Sequence, residues 1–441
     1  MDSIHKSINY HKEITLQGSY DVAVCGGGCA GFTAALQASR LGERTCVIEK
    51  TNMPGGVLTS GRNNEIALFN AGETPVVRGI GWEYVKRLEA MGYARIPEFK
   101  SGVRHSQQGV HVNIPMAAFL METMWEEAAV DTFYMTTLTD MIRQEEGWLI
   151  ITADKGGLHA IQARRVVDCT GDGDACFFAG AEYELGDEAT GALQPGTLGF
   201  FVDVSGAENL KHEKVGEVYR KSLEDGSLKH GDIWSTGATP FHAILNKGNN
   251  INHVGVGVDY QENRTQIEKE GRKSIARLAE WFKKHFPELG ETEIEICGVA
   301  GEVALRETRR VVCDKRITVE DYAGGRKYED GVSQSYYPID LHKHNEKDGT
   351  LYNIYLDEKT IPAIPYGAML PKGLTDILVA GRCISGDRLA QSAYRVKASC
   401  MGMGQAAGAA AALSALKGRD LRALDLNELK AVLKEHGALL P

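Results

Sequence analysis

The stretch DVAVCGGGCAGFTAALQASRLGERTCVIE, residues 21–49, constrains the fold more than any other part of the chain. Asp21 to Cys25 is a short apolar run that predicts a buried strand. Gly26-Gly27-Gly28-Cys29-Ala30-Gly31 follows and fits G-x-G-x-x-G. The Ala-rich segment Phe32 to Leu41 predicts a helix, with Gly42 as its stop. Thr45 to Ile48 predicts a second strand, which ends on Glu49. Each part has a physical role in a strand–turn–helix–strand unit. Gly26 permits the tight turn, Gly28 lets backbone approach a pyrophosphate, and Gly31 lets the helix lie against the strand. The helix start at Cys29 and Ala30 offers N–H groups and partial positive charge to phosphates. Glu49 stands 18 residues beyond Gly31, where an acid meets a ribose hydroxyl. Glycines alone are weak evidence, but these parts in register point to a bound adenine dinucleotide.

The rest of the composition narrows the class. At 441 residues the chain can bury a large core and build two or three domains. A net charge of −10 argues against nucleic acid or an anionic membrane surface as partner. An anionic small molecule would need a local cationic pocket. The first 20 residues lack the apolar core of a signal peptide, and no run of about 18 apolar residues predicts a membrane span. The nine cysteines are an odd number without any C-x-x-C, so metal-centre readings are poor. They read as reduced core thiols of a cytoplasmic protein.

Along the chain, residues 1–17 read as an extension or edge hairpin, and 115–129 as a helix. Thr132–Leu138 reads as a strand, Leu149–Thr152 with Ala160–Ala163 as a meander pair, and Arg164–Thr170 as a buried strand before a short helix, Ala175–Ala179. Strands are expected at Leu198–Val204 and Val254–Asp259, and helices at Glu208–Leu223 and Ile267–Phe286. Glu291–Cys313 reads as a mixed passage and Tyr328–Asp348 as a loop near a site. Ile377–Ala380 is again buried, 396–416 is a helix of small residues, and Asp425 precedes a helix at 426–436. The fold class this implies is α/β. A discontinuous Rossmann-like dinucleotide domain comes from 18–62, 112–190 and 371–418. It is interrupted by an α+β substrate or cap domain from 63–111 and 191–370, and 419–441 adds a C-terminal helix.

Three later features extend the first motif. Met53-Pro54-Gly55-Gly56 can bring backbone to the cofactor a second time, with hydroxyls at Thr59 and Ser60 for a pyrophosphate; the competing reading is a simple turn. Thr170-Gly171-Asp172-Gly173-Asp174 follows a buried strand, where ligands of open α/β sheets collect. Helix capping is the other explanation of Asp174. Gly402–Gly408 suits a small-residue face packed on a sheet, and the helix start near Val396 can stabilise negative charge on a flavin ring. A simple NAD-binding unit needs the first motif only. The second glycine pair and the late return point to FAD, and no second G-x-G-x-x-G signals an NADPH domain.

With these blocks the chain resembles the family of FAD-dependent oxidoreductases with a fumarate-reductase-like or glutathione-reductase-like fold. The resemblance is carried by DVAVCGGGCAG (21–31), VIEKTNMPGGVLTSG (47–61), RRVVDCTGDGDACFFAGAEYELG (164–186), RETRRVV (306–312), YYPIDLH (336–342) and the passage from 364 to 408 that includes AGRCIS. It implies that Gly26, Gly28, Gly31, Glu49 and Lys50 hold the AMP half, and that Gly56, Thr59 and Ser60 lie near the pyrophosphate and flavin. It further implies that backbone at Leu138 meets the adenine, that Gly171 and Asp172 lie beside the cofactor, and that Gly381, Arg382 and the helix start at Val396 meet the flavin. Arg62-Asn63-Asn64-Glu65 departs from the apolar residues usual there and points to a particular substrate.

The expected reaction is a two-electron, hydride-type oxidation or reduction of a small polar molecule, a carboxylate or a polyol. Arg306, Arg309 and Arg310 cluster within one or two helical turns, and Arg395 precedes the flavin-facing helix; arginines clamp carboxylates bidentately. Surface salt bridging is the competing reading of each. His342 and Tyr337 flank Pro338-Ile339-Asp340 as candidate acid or base, with His105 and His111 as weaker ones. No metal site is expected. A flavoprotein served by a protein electron donor or acceptor, FAD as a structural or redox-sensing element, and a homo-oligomer are compatible with the same sequence.

Overall fold

The apolar run at 21–25 is the end of a longer strand, β1 (Thr15–Cys25), at the centre of a seven-stranded sheet. The computed structural model describes residues 8–204, 211–233, 248–249, 251–286, 294–343 and 351–441. The expected extension at 1–7, and the parts of expected elements at 208–210, 291–293 and 344–348, lie outside the described residues. Helix α1 (Cys29–Arg40) follows β1 and is buried along most of its length. It leads to β2 (Thr45–Ile48), which lies parallel to β1. Helix α2 (Ile114–Glu127) takes its N-cap bond from Asn113. It precedes β3 (Asp131–Phe133), which extends the parallel pairing on β2.

The expected strand at 132–138 is in fact two elements, β3 and β4 (Thr137–Arg143), with Met135 in a positive-φ turn between them. β4 and β5 (Trp148–Asp154) form an antiparallel meander with the first half of β6 (Gly157–Asp168). The segments 160–163 and 164–168 are thus one strand: its first half pairs with the meander and its second half with β7 (Ile377–Val379). β1 pairs along the other edge of β6.

Register decides where a ligand can sit. Cys25 stands opposite both Ile48 and Asp168, and Asp168 stands opposite Val379. Four parallel strands therefore end level, and Gly26, Glu49, Thr170–Asp174 and Gly381 all emerge from one sheet edge. That edge is where open α/β sheets bind ligands. The late helix α3 (Lys397–Lys417) lies directly on α1. A Cβ on Gly404 would fall 2.0 Å from the Ala30 carbonyl oxygen, and one on Gly408 2.1 Å from that of Ala34. The small-residue face of α3 thus serves close packing.

The described residues form two hydrophobic cores. The larger surrounds the sheet and includes buried residues of 66–88 and 110–112. The smaller gathers Phe200, Val202, Ile267, Leu278, Trp281 and Phe282, where the helix Arg264–His285 covers the strand Phe200–Val204. Val254–Asp259 is not a strand; a single bridge from Val254 to Gly196 precedes a turn. Gly255 and Gly257 leave one face of that segment without side chains to pack. Within 328–343 the expected loop contains two strands, Gly331–Gln334 and Ile339–His342, which pair with Ala363–Pro365 and Leu351–Ile354 and bury Val332, Ile339 and Leu341. Arg309–Val311 is likewise a strand, paired antiparallel with Tyr183–Leu185, so the arginines of RETRR do not share a helix face.

Candidate active site

A continuous cleft runs along the sheet edge between the two cores. Its first part, of about 1240 Å³ counting space open to solvent, is lined by Gly26, Gly28, Cys29 and Ala30, by Glu49, Lys50 and Gly56, and by Leu138, Gly171, Asp172, Gly381 and Arg382. Its second part, of about 1000 Å³ on the same measure, is lined by Asn63, Glu65, Arg306, Tyr337, Asp340, His342, Arg395 and Val396. Val57, Gly61, Ala304, Leu305, Arg382, Arg395 and Lys397 border both parts.

The first part is made mostly of backbone. Gly26 has φ +94°, and a Cβ there would meet the Cys169 carbonyl oxygen at 2.6 Å. Gly31 has no room at all, since a Cβ would lie 1.8 Å from the Gly26 carbonyl oxygen. Gly28 differs from both: a Cβ there would meet nothing within 4 Å, because the position opens on the cleft. Gly28 is also the N-cap of α1 and gives the helix no side-chain cap. The unpaired N–H groups of the first turn are thus left for an anion. The second glycine pair docks onto the first, with the Gly55 N–H donating to the Gly27 carbonyl at 2.8 Å and Gly56 beside Gly28. This backbone cradle, filled by any Cβ at Gly28, fits the pyrophosphate of a dinucleotide.

Glu49 is buried and already engaged. One carboxylate oxygen accepts from the Gly27 N–H at 2.7 Å, the other from the backbone N–H and hydroxyl of Thr51 at 2.8 Å each. The acid therefore braces the glycine loop and also lines the cleft. Thr59 and Ser60 depart from the role expected of them. The buried Thr59 hydroxyl donates to the Pro54 carbonyl, and the Ser60 hydroxyl donates to Thr51 Oγ1 at 3.2 Å. Neither residue lines the cleft. Both hydroxyls are spent on closing the turn that presents Gly55 and Gly56.

Beyond β6, Asp168 is fully buried and accepts from Thr170 and from the Cys176 N–H, fixing the loop. Asp172 accepts from Arg382 and, at 2.8 Å, from the Thr308 hydroxyl. Burial opposes its ionisation, yet Arg382, Lys50, Thr308 and Arg264 together hold its carboxyl below the usual range. Burial and the nearby Asp172 and Asp168 instead push Asp174 up to about 6.

Long side chains build the second part. Arg306 donates to the Pro195 carbonyl at 2.8 Å. Arg395 donates to the Arg306 and Asp340 carbonyls at 3.0 and 3.1 Å. Burial, then the like charge of Arg395, brings the Arg306 guanidinium down to about 9. Lys397 is buried and donates to the Glu65 carbonyl at 2.6 Å. Behind these cations lies a chain of buried groups. His253 Nε2 is 2.8 Å from His342 Nδ1, and His342 Nε2 is 3.1 Å from Asp340 Oδ2. Burial and Arg306 hold His342 down to about 3, so its ring is neutral at neutral pH. Despite its burial, Asp340 is held down to about 2 by its bond to His342 and by Arg395 and Arg306. A carboxylate can only accept, so His342 Nε2 carries the proton, Nδ1 accepts, and His253 Nε2 donates.

RETRR is divided where the chain enters the strand Arg309–Val311. Arg306 faces the cleft. Glu307 is fully buried and pairs with Arg310 and Arg388 at 2.5 and 2.9 Å. Arg309, expected at the reaction centre, instead donates to the Asp172 carbonyl and Asp174 at 2.9 and 2.7 Å, with its guanidinium over Phe177. Thr308, two residues past Arg306, donates its hydroxyl to Asp172. His105 meets Tyr337 edge to face at 5.1 Å, and neither His105 nor His111 borders the cleft. Thr308, His253, Arg264 and Lys397 were not singled out in the sequence. Only the blocks around Thr308 and Lys397 carried any signal.

A family model described as FAD dependent oxidoreductase matches residues 21–433. The chain belongs to that family. It is an FAD-dependent oxidoreductase. No curated protein matches the chain. Among solved structures, a flavoprotein/dehydrogenase from Cytophaga hutchinsonii is 15% identical with TM-score 0.44, over 94% of this chain and 83% of that one. A geranylgeranyl bacteriochlorophyll reductase-like protein from Thermoplasma acidophilum is 12% identical with TM-score 0.41, over 95% and 84%. The p-nitrophenol 4-monooxygenase from Pseudomonas putida DLL-E4 is 11% identical with TM-score 0.38, over 96% and 84%. The assignment of this oxidoreductase rests on the family match. Among the described residues, no helix is long and apolar enough to cross a membrane, and no group of three or more His, Cys, Asp or Glu side chains could hold a metal ion.

Proposed function

We propose that this oxidoreductase performs a two-electron reaction on a small carboxylate, bound in the second part of the cleft. The observation that carries the reading is the pairing of Arg306 and Arg395 at the cleft wall, close enough for one guanidinium to depress the other. The cations that border this space, Arg306, Arg395 and Lys397, outnumber the carboxylates Asp340 and Glu65, so a further anion is favoured there, and guanidinium geometry suits a carboxylate.

FAD, when bound, supplies a ring that accepts or gives a hydride. The protein's own residues bind and orient the substrate. Arg306 and Arg395 hold the substrate carboxylate. Asp340, ionised and lining the cleft, accepts a hydrogen bond from a substrate hydroxyl and aligns it, and the proton given up as the carbon loses hydride passes to water in the open cleft. His342, with His253 behind it, fixes the carboxylate of Asp340 through Nε2. Tyr337, Asn63 and Ser392 border the same space and offer polar groups to the rest of the substrate. The division of labour is a cofactor-binding body from 18–62, 112–190 and 371–418 and a substrate-side cap from 63–111 and 191–370; of the cap, the stretch from Leu193 to Val303 forms the smaller core, while 66–88, 110–112 and 311–370 pack into the larger one.

The test is anaerobic bleaching of the bound flavin by a panel of hydroxy acids, sugar acids and neutral polyols. A hydroxy or sugar acid should reduce the flavin, and Arg306→Gln should raise the concentration needed. Reduction by neutral polyols alone, or only by a protein electron donor, overturns the reading.

A further inference from the structure

One cation in the first part of the cleft has no assigned role. Arg264 belongs to the smaller core, at the first position of the helix Arg264–His285, yet it lines the cleft that holds Gly28. A cation suits a helix N-terminus poorly, and this helix has no acidic residue in its first turn to offset it. Its Nη2 is held by Glu302 at 3.0 Å, the Val303 carbonyl at 3.0 Å and Glu268 at 3.4 Å. Its Nη1 is buried without a hydrogen-bond partner. Glu302 also holds Lys50 at 2.9 Å, so one carboxylate gathers two cations from the two sides of the cleft. Both cations, with Arg382, lie near enough to lower Asp172.

We propose that Arg264 is a cofactor-binding residue that the cap side supplies: it neutralises the FAD pyrophosphate across the cleft from the start of α1. Glu302 is its counter-anion, keeping Arg264 and Lys50 aimed into the cleft and competing with the phosphates for them. Binding FAD thereby draws the two cores together. This assignment does not depend on the substrate.

The test is equilibrium titration of the deflavinated full-length protein with FAD, followed by flavin fluorescence, with ADP as competitor. ADP carries a pyrophosphate and no flavin. Arg264→Met should weaken FAD and ADP in parallel by about tenfold, the loss of one charge-assisted contact. Arg264→Lys should recover part of the loss. Glu302→Gln should tighten both ligands, because it removes the competing carboxylate. A bridge that merely latches the cap would behave otherwise, with Arg264→Met and Glu302→Gln both weakening FAD. That result overturns the assignment, as does unchanged FAD affinity in Arg264→Met, or weakened FAD with unchanged ADP. If Arg264→Met does not fold, Arg264→Lys and the sign of the Glu302→Gln effect decide the question.

Discussion

The two parts of the cleft are built on opposite plans. The dinucleotide part is backbone: four strand ends in register, a helix start without a side-chain cap, and glycines packed against one another. The substrate part is side chain: guanidiniums, a carboxylate and imidazoles from segments far apart in sequence. A backbone site recognises what every member of a family shares, because replacing a side chain hardly alters it unless a Cβ intrudes. A site of long side chains can be retuned one residue at a time. The contrast explains how a chain can declare its cofactor and leave its substrate open.

The contrast is broken most directly at Gly28. Its backbone has φ −68°, which any residue adopts, and a Cβ there meets no protein atom within 4 Å. Gly28→Val should therefore fold and melt like the deflavinated wild type, yet purify without flavin. Flavin content equal to wild type would show that the pyrophosphate lies elsewhere. Gly404→Val attacks the same end through packing, since its side chain would enter the Ala30 backbone. A loss of at least about 3 kcal/mol in denaturant unfolding is expected, the scale of overpacking against an immovable backbone.

At the substrate end the effects should be graded. Arg306→Gln removes one arm of the carboxylate clamp while leaving the Arg395 bonds to backbone in place. With a carboxylate substrate, kcat/KM should fall about 100-fold, close to 3 kcal/mol for a charge-assisted contact, with flavin content unchanged. Arg306→Lys should restore only part, since an ammonium lacks the planar fork. A neutral substrate of similar size should not sense either change.

Sequence legibility follows the same division. Strand β1, the glycine turn, α1, β2 and Glu49 were readable because each is set by local rules: periodicity, a tight turn, close approach of backbone. The return strand Ile377–Val379 and the small-residue helix were readable for the same reason. RETRR was not, because a cluster of arginines looks alike on a helix or a strand, and only pairing with Tyr183–Leu185 draws Arg309 and Arg310 into a strand that leaves Arg306 outside it. Thr59 and Ser60 misled because a hydroxyl beside a glycine turn can close the turn as well as bind a phosphate. The contact of His253 with His342 spans 89 residues and has no local signature.

The smallest expected effect tests the buried imidazole through stability. His342 is held down to about 3 when folded, against about 6.5 in an unfolded chain. Below pH 6.5 the unfolded state takes up a proton that the folded state refuses. The contribution of His342 is thus fully present above pH 6.5 and is lost progressively as pH falls towards 3, at up to about 1.4 kcal/mol per pH unit. Asp174 acts in the opposite sense, because a carboxyl raised to about 6 costs stability as pH rises through that value. His342→Gln leaves Asp174 in place and can still donate to Asp340, so the difference between the two proteins isolates the imidazole. Denaturant unfolding of wild type and His342→Gln from pH 7 to pH 4 should show curves that converge as pH falls. Parallel curves would mean that the ring protonates freely in the folded protein. Asp340 would then be paired with an imidazolium rather than with a neutral donor, and its oxygens would be weaker hydrogen-bond acceptors for a substrate hydroxyl.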